Sequence, residues 1–143
     1  MSIVQTQTTS FKAELYQGIH NLTTDVIKIA LYTANANLNA DTTAYSSTDE
    51  VPVTAGALPY LVGGAILTPI TVSTSLSDAT AYVGFPNISW TGTITARCAL
   101  IYNSSKANRA IAVLDFGSDK TSSNFTITMP ANTSTTALIR SSY

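Results

Sequence analysis

Charge is what this chain has least of. Only 10% of its 143 residues are Asp, Glu, Lys or Arg, against roughly a quarter in ordinary soluble domains. The net charge is -1, so the sequence carries no electrostatic footprint for nucleic acid or an anionic membrane surface. Cysteine occurs once, as Cys98, and a single cysteine cannot close an internal disulfide. It lies mid-strand in the pattern below and reads as a small buried hydrophobe. Histidine also occurs once, as His20, with no second His or Cys near it in sequence, which argues against a transition-metal site. No apolar run reaches the length of a transmembrane helix. The opening M-S-I-V-Q-T-Q-T-T has no basic region followed by an apolar one, so no signal peptide is expected. Without one, the Asn-x-Ser/Thr matches at Asn21, Asn87, Asn103, Asn124 and Asn132 read as products of composition, not as glycosylation sites.

What is abundant points to strands. Thr and Ser make up roughly a quarter of the chain, far above average usage. Thr, Val, Ile and Tyr favour pleated structure, while the Glu, Lys and Arg of soluble helices are few. Mean hydropathy is +0.19. A surface this poor in charge fits a subunit of an assembly, because charge is depleted at the centres of interfaces. The length is that of one domain.

The chain is organised around Ile94 to Phe116. Two apolar runs, Ile94–Tyr102 and Ala110–Phe116, flank a polar turn over Asn103–Arg109, a hairpin pattern. In the first run Ala96, Cys98, Leu100 and Tyr102 share one face, and Ala99 and Ile101 share the other with Arg97. In the second, Ile111 and Val113 oppose Ala110, Ala112, Leu114 and Phe116. Strands apolar on both faces need cover on both. The hairpin is therefore expected in the middle of a sandwich, or with one face against another subunit.

Around it, Met1–Thr9 reads as a polar arm, either loose or ordered only against a neighbour, and residues 10–143 as a single domain. Phe11, Leu15 and Ile19 recur at helical spacing. Ser10 is the expected N-cap and Gly18 the expected stop of one short helix. Asp25–Tyr32 alternates as a strand, with Ile27, Ile29 and Leu31 on its core face. Thr33–Gly56 shows no strand pattern, and a loop that long is commonly functional or interfacial. Ala65–Val72 reads as an edge strand because of Pro69. Ala79–Gly84 and Asn87–Trp90 read as short strands. Asn124–Met129 places Phe125, Ile127 and Met129 on one face, and Thr136–Arg140 closes the sheet. The expected fold class is all-β, a β-sandwich or jelly-roll-like barrel with one short N-terminal helix.

No catalytic set is recognisable. His20 is placed to cap helix carbonyls. The carboxylates fall mostly in loops without a paired-acid motif. Asp115-Phe116-Gly117 matches a kinase triplet by accident, since the chain has no glycine-rich loop or partner lysine. Asp115, Ser118, Asp119 and Asn124 miss the spacing of a calcium loop and read as a hydrogen-bonded turn. Arg97 or Arg109 is expected to pair with Asp115 across the ladder. No cofactor and no metal are expected.

The segments S-F-K-A-E-L-Y-Q-G-I-H-N, K-I-A-L-Y-T-A-N-A-N-L, T-T-A-Y, G-G-A-I-L-T, T-A-R-C-A-L-I-Y-N and N-R-A-I-A-V-L-D-F-G resemble a family of small tailed-bacteriophage virion proteins. The resemblance runs from Phe11 to Arg140 and is most specific over Thr95–Gly117. Cys98 stands where that pattern has Gly, and V-P-V-T-A-G-A-L-P-Y-L-V-G-G is longer than the pattern before its Gly pair. The resemblance implies a virion structural protein. The preferred expectation is a capsid decoration (cement) protein on the head surface, a homo-oligomer, most plausibly a trimer, that clamps major capsid subunits. No nucleic-acid partner, no membrane partner and no enzymatic activity are expected. The alternatives are a tail, neck or baseplate component, and a carbohydrate-binding module that would expose Tyr45 and Tyr60. Ile3, Val4, Leu38, Tyr45, Arg97, Ile101 and Arg109 are the expected interface residues.

Overall fold

The computed structural model describes residues 2–142. The elements run β1 (Thr6–Gln7), α1 (Thr9–Tyr16), β2 (Ile27–Tyr32), β3 (Ala65–Ile66), β4 (Ser73–Ser75), β5 (Thr80–Val83), β6 (Ile88–Asn103), β7 (Arg109–Ile127) and β8 (Ile139–Ser141). The chain is all-β with one short helix, as its composition requires. One sheet has the order β1-β7-β6-β2-β3 and the other β4-β5-β8, and every strand pair is antiparallel.

The hairpin dominates. β6 absorbs the expected Asn87–Trp90 strand, and β7 runs on into the expected Asn124–Met129 strand, so two long strands replace four short ones. Register shifts between Thr91 and Ile94, Ala96 and Cys98, and Ile101 and Tyr102 bend the pair. Each shift also moves side chains between faces, which strict alternation misses. Ile101 faces Ala112 and Tyr102 faces Ala110, leaving Ile111 as the extra residue. Ile111 thus joins Ala112 and Leu114 in the inner core, while Val113 goes outward. Ala96 likewise sits in the inner core, apart from Cys98, Leu100 and Tyr102.

Over its apolar runs the hairpin is covered on both faces by the chain's own residues. The inner core joins Ile27, Ile29, Leu31, Ile101 and Leu114 to Val83, Phe85 and Ile139 on the side of the second sheet, with Phe11 from α1. The outer core is smaller. Ala30, Tyr32, Cys98, Leu100, Tyr102 and Val113 lie under Ala36 and Leu38, with Ile3 and Tyr45 packed against them. Burial pushes the Cys98 thiol up to about 12, so it behaves as a hydrophobe.

The cover comes from Thr33–Gly56, the long loop expected to be functional or interfacial. The Val51 N–H donates to Leu31 O, Tyr45 N–H to Asn108 O, and Ala110 N–H to Thr43 O. The N-terminal arm is also docked on its own domain: Leu38 N–H donates to Ser2 O, Val4 N–H to Leu38 O, and β1 pairs with Ala112 and Val113. Met1 lies outside the described residues. The arm lacks a hydrophobic pattern because main-chain bonds, not side chains, do most of the holding.

The helix starts earlier than expected. Thr8, not Ser10, is the N-cap, its Oγ1 accepting from Phe11 N–H at 3.2 Å. The stop is at Gly18 (φ 70), where Gly18 N–H donates to Leu15 O and Ile19 N–H to Glu14 O, a two-bond left-handed termination.

These backbone bonds do the capping that His20 was expected to do. His20 turns inward instead, into a buried polar chain that ties the helix to the hairpin turn. Its Nε2–H donates to Glu14 Oε1 at 2.8 Å, and its Nδ1 accepts from Asn103 Nδ2 at 3.0 Å. Asn103 Nδ2 also donates to Asp25 Oδ2 at 2.7 Å, and Asn103 Oδ1 accepts from Ser105 N–H. The Ser105 N–H thereby fixes the orientation of the Asn103 amide, with its Nδ2 toward His20 and Asp25. Arg109 closes one end on Glu14 and Lys106 the other on Asp25.

Burial raises the Asp25 carboxyl. Hydrogen bonds from Asn103, the Asn21 N–H and Lys106 outweigh that and bring it down from 3.8 to about 2. Glu14 is likewise raised by burial and lowered overall by His20 and Arg109. A carboxyl depressed in the folded state stabilises above its unfolded value and loses that contribution as pH falls through its folded one. Urea-unfolding free energy is therefore expected to fall from about pH 4 to about pH 2, and Asp25→Asn to flatten that slope. An unchanged slope in the variant would remove Asp25 as its source.

Candidate interaction surface

Residues 51–77 contain no charged side chain. Of the twelve large hydrophobic residues exposed among the described ones, eight lie in this stretch: Val53, Leu58, Leu61, Val62, Ile66, Ile70, Val72 and Leu76. Scattered exposed hydrophobics are ordinary, whereas a concentration of them marks a contact surface.

The first five stand on a rigid support. Tyr60 is the anchor, 0% exposed beside Trp90. Its hydroxyl accepts from Leu31 N–H at 2.8 Å and donates to Glu50 Oε2 at 2.6 Å. Glu50 also accepts from Gly63 N–H at 2.8 Å and from the Tyr45 hydroxyl at 2.6 Å. Burial, reinforced by the Glu50 carboxylate, holds the Tyr60 and Tyr45 phenols well above their ordinary range, so both remain donors. On the far side Thr54 and Thr91 clasp the loop to β6. Thr54 Oγ1 donates to Thr91 O, Leu58 N–H donates to Thr91 Oγ1, and Thr91 N–H donates to Leu58 O. Gly64 then passes against β2 so closely that a Cβ there would lie 1.8 Å from Ile29 O.

Held this way, Val53, Leu58, Leu61, Val62 and Ile66 are each more than half exposed. Leu58, Leu61 and Ala65 line one shallow depression floored by Ile88 and Trp90. A rigid loop presenting apolar side chains loses little conformational freedom when it is covered.

The expected interface residues are mostly elsewhere. Ile101 is 0% exposed in the inner core and has no surface to offer. Leu38 is buried by its pairing with the arm, and Ile3 is half-buried against it. Tyr45 stacks on Tyr102 at 4.7 Å between ring centres. Arg97 pairs with Asp115 at 3.3 Å, and Arg109 with Glu14 at 2.8 Å. Val4 alone of the seven is a largely exposed hydrophobe. Tyr60, which a carbohydrate-binding module would expose together with Tyr45, is the loop's buried anchor.

No converging chemistry accompanies this surface. Asp115 Oδ1 accepts from Gly117 N–H at 2.8 Å, but Ser118, Asp119 and Asn124 lie along β7 and do not join it in the expected turn. Among the described residues no three His, Cys, Asp or Glu side chains come together as a metal site, and no helix is long and apolar enough to cross a membrane. A recess of about 790 Å³ along β7 is lined by Leu114, Phe116, Phe125, Ile127 and Met129, and Lys120 is its one titratable side chain.

Compared with known proteins, the chain matches no family model, no curated protein and no solved structure.

Proposed function

We propose that this chain is a structural protein of a tailed-phage virion, and specifically a head decoration (cement) protein. It acts as a homo-oligomer, with a trimer as the expected order, and binds between major capsid subunits on the head surface. The observation that carries the reading is the uncharged stretch 51–77 with its eight exposed large hydrophobic side chains, five of them held out on a pinned loop. Such a surface serves by being covered by another protein. The sequence resemblance over Thr95–Gly117 points to the virion as the place where that happens.

The mechanism is binding alone. Burying one half-exposed Leu, Ile or Val stabilises by about 1 kcal/mol, so a few of them barely offset the cost of association. An oligomer that presents the same contact several times to a repeating lattice gains by effective concentration. Little charge is involved, so added salt should weaken this contact little.

The test is to mix the purified chain with phage heads that lack a decoration layer and to locate it by electron microscopy. Saturable binding at a repeated position on the head, together with greater resistance of filled heads to heat, is the expected result. Binding to tails only would move the chain to the tail, neck or baseplate. Binding to neither would overturn the proposal.

A further inference from the structure

The charge-free stretch divides in space. Leu58 and Leu61 lie with Ala65 of β3, the edge strand of the five-stranded sheet, beside Ile88 and Trp90. Val72 lies in a different recess, with Tyr82, Ile139 and the end of the helix. We infer that the first part, Val53, Leu58, Leu61, Val62 and Ile66, is covered by a second copy of this chain, with these residues meeting their own equivalents about the symmetry axis of a homo-oligomer. This rests on the assembly role proposed above and names the surface through which copies meet.

Two observations select a second copy as the occupant. The first is charge. Residues at a symmetry axis face their own equivalents, so any charge there repels itself. A partner of another kind would ordinarily be matched by complementary charges, and residues 51–77 offer none. The Glu50 carboxylate beneath the loop is taken up by the Tyr45 and Tyr60 hydroxyls and the Gly63 N–H, and Lys28, cross-strand from Ile66, is a second charged side chain beside the patch. Its long stem can pack along Ile66 while the ammonium stays at the rim.

The second observation is area. Five aliphatic side chains, each more than half exposed, offer on the order of 400 Å² of apolar surface. A standard interface buries about 800 Å² per partner, a little over half of it apolar. The patch therefore supplies most of the apolar share that one stable contact needs. Ile70, Val72 and the fully projecting Leu76 remain free for a different partner.

The experiment is sedimentation velocity on the full chain, with Leu61→Glu and Leu61→Lys as variants. Leu61 is exposed and both variants should keep the wild-type circular dichroism and melting temperature. The wild type is expected to sediment as one oligomer at micromolar concentration. Each variant alone should fall to the monomer, and mixing the two should restore association as mixed oligomers, because unlike charges then meet in them. A monomeric wild type overturns the inference, as does a variant that retains the wild-type mass. Monomeric variants that fail to reassociate when mixed would show that Leu61 does not face its own equivalent, and this too overturns it. A chain that is monomeric yet binds heads defeats this inference and leaves the decoration role standing. A chain that oligomerises through Leu61 and binds no head does the reverse.

Discussion

Gly64→Ala is expected to leave little folded protein. Gly64 has φ 80, a left-handed conformation, and a Cβ there would lie 1.8 Å from Ile29 O and 2.6 Å from Ile29 C. The obstacle is backbone, not a side chain that can swing away. Ile29 pairs with Ile101 on one side and Ala65 on the other, in the middle of the main sheet. The left-handed conformation alone costs an alanine about 1–2 kcal/mol. Clearing the clash means parting β3 from β2 and dislodging the Tyr60 anchor. A total loss above ~4 kcal/mol is expected, a large share of the ~5–15 kcal/mol that holds a domain of this kind together. Gly18 is the control. Its φ is 70, but no atom lies within 4 Å of the added carbon, so Gly18→Ala should cost only the ~1–2 kcal/mol of the left-handed conformation. Thermal melts followed by circular dichroism compare the two, and a Gly64→Ala melt within a few degrees of wild type would contradict the close approach.

Asn103→Leu should be the next most damaging change. Leucine has a similar size, so packing is nearly kept and the loss isolates hydrogen bonding. Asn103 is 0% exposed. Its replacement strips His20 Nδ1 of a donor and Ser105 N–H of an acceptor, and removes one of the donors that hold the Asp25 carboxylate. Each buried group left unsatisfied costs roughly 1–3 kcal/mol, so about 3 kcal/mol or more is expected from urea titration at neutral pH. The Asp25 carboxyl should also rise from about 2, which moves the acid-induced loss of stability to higher pH. A loss under about 1 kcal/mol would mean that water replaces the amide.

How much was legible beforehand depended on periodicity. The hairpin, β2 and the strand carrying Phe125 and Ile127 were readable because alternation over several residues leaves an unmistakable pattern. The doubly apolar hairpin faces correctly implied two layers of cover. What covered the outer layer was not readable. Ala36, Leu38 and Tyr45 sit at irregular spacings in a non-repetitive segment, held by main-chain bonds that leave no trace in side-chain type. The misplacement of Ala96 and Ile111 has a different origin. A bulge adds one residue without a sequence marker and reverses every face beyond it. The exposed patch carried one visible signal, the unbroken absence of charge from Val51 to Ser77. Composition could not say which of its hydrophobics are anchors, such as Tyr60 and Leu67, and which project. His20 was misread for a related reason, since its partners Glu14 and Asn103 lie on elements brought together only by folding.

The interlock of the first residues with Leu38 has a mechanical consequence. Ser2 and Val4 grip Leu38 from both sides of its peptide, so segments more than thirty positions apart in the chain come loose together. Trimming the chain ahead of Thr6, or pulling on anything fused in front of Ser2, should admit water over Leu100 and Val113 while the inner layer stays dry.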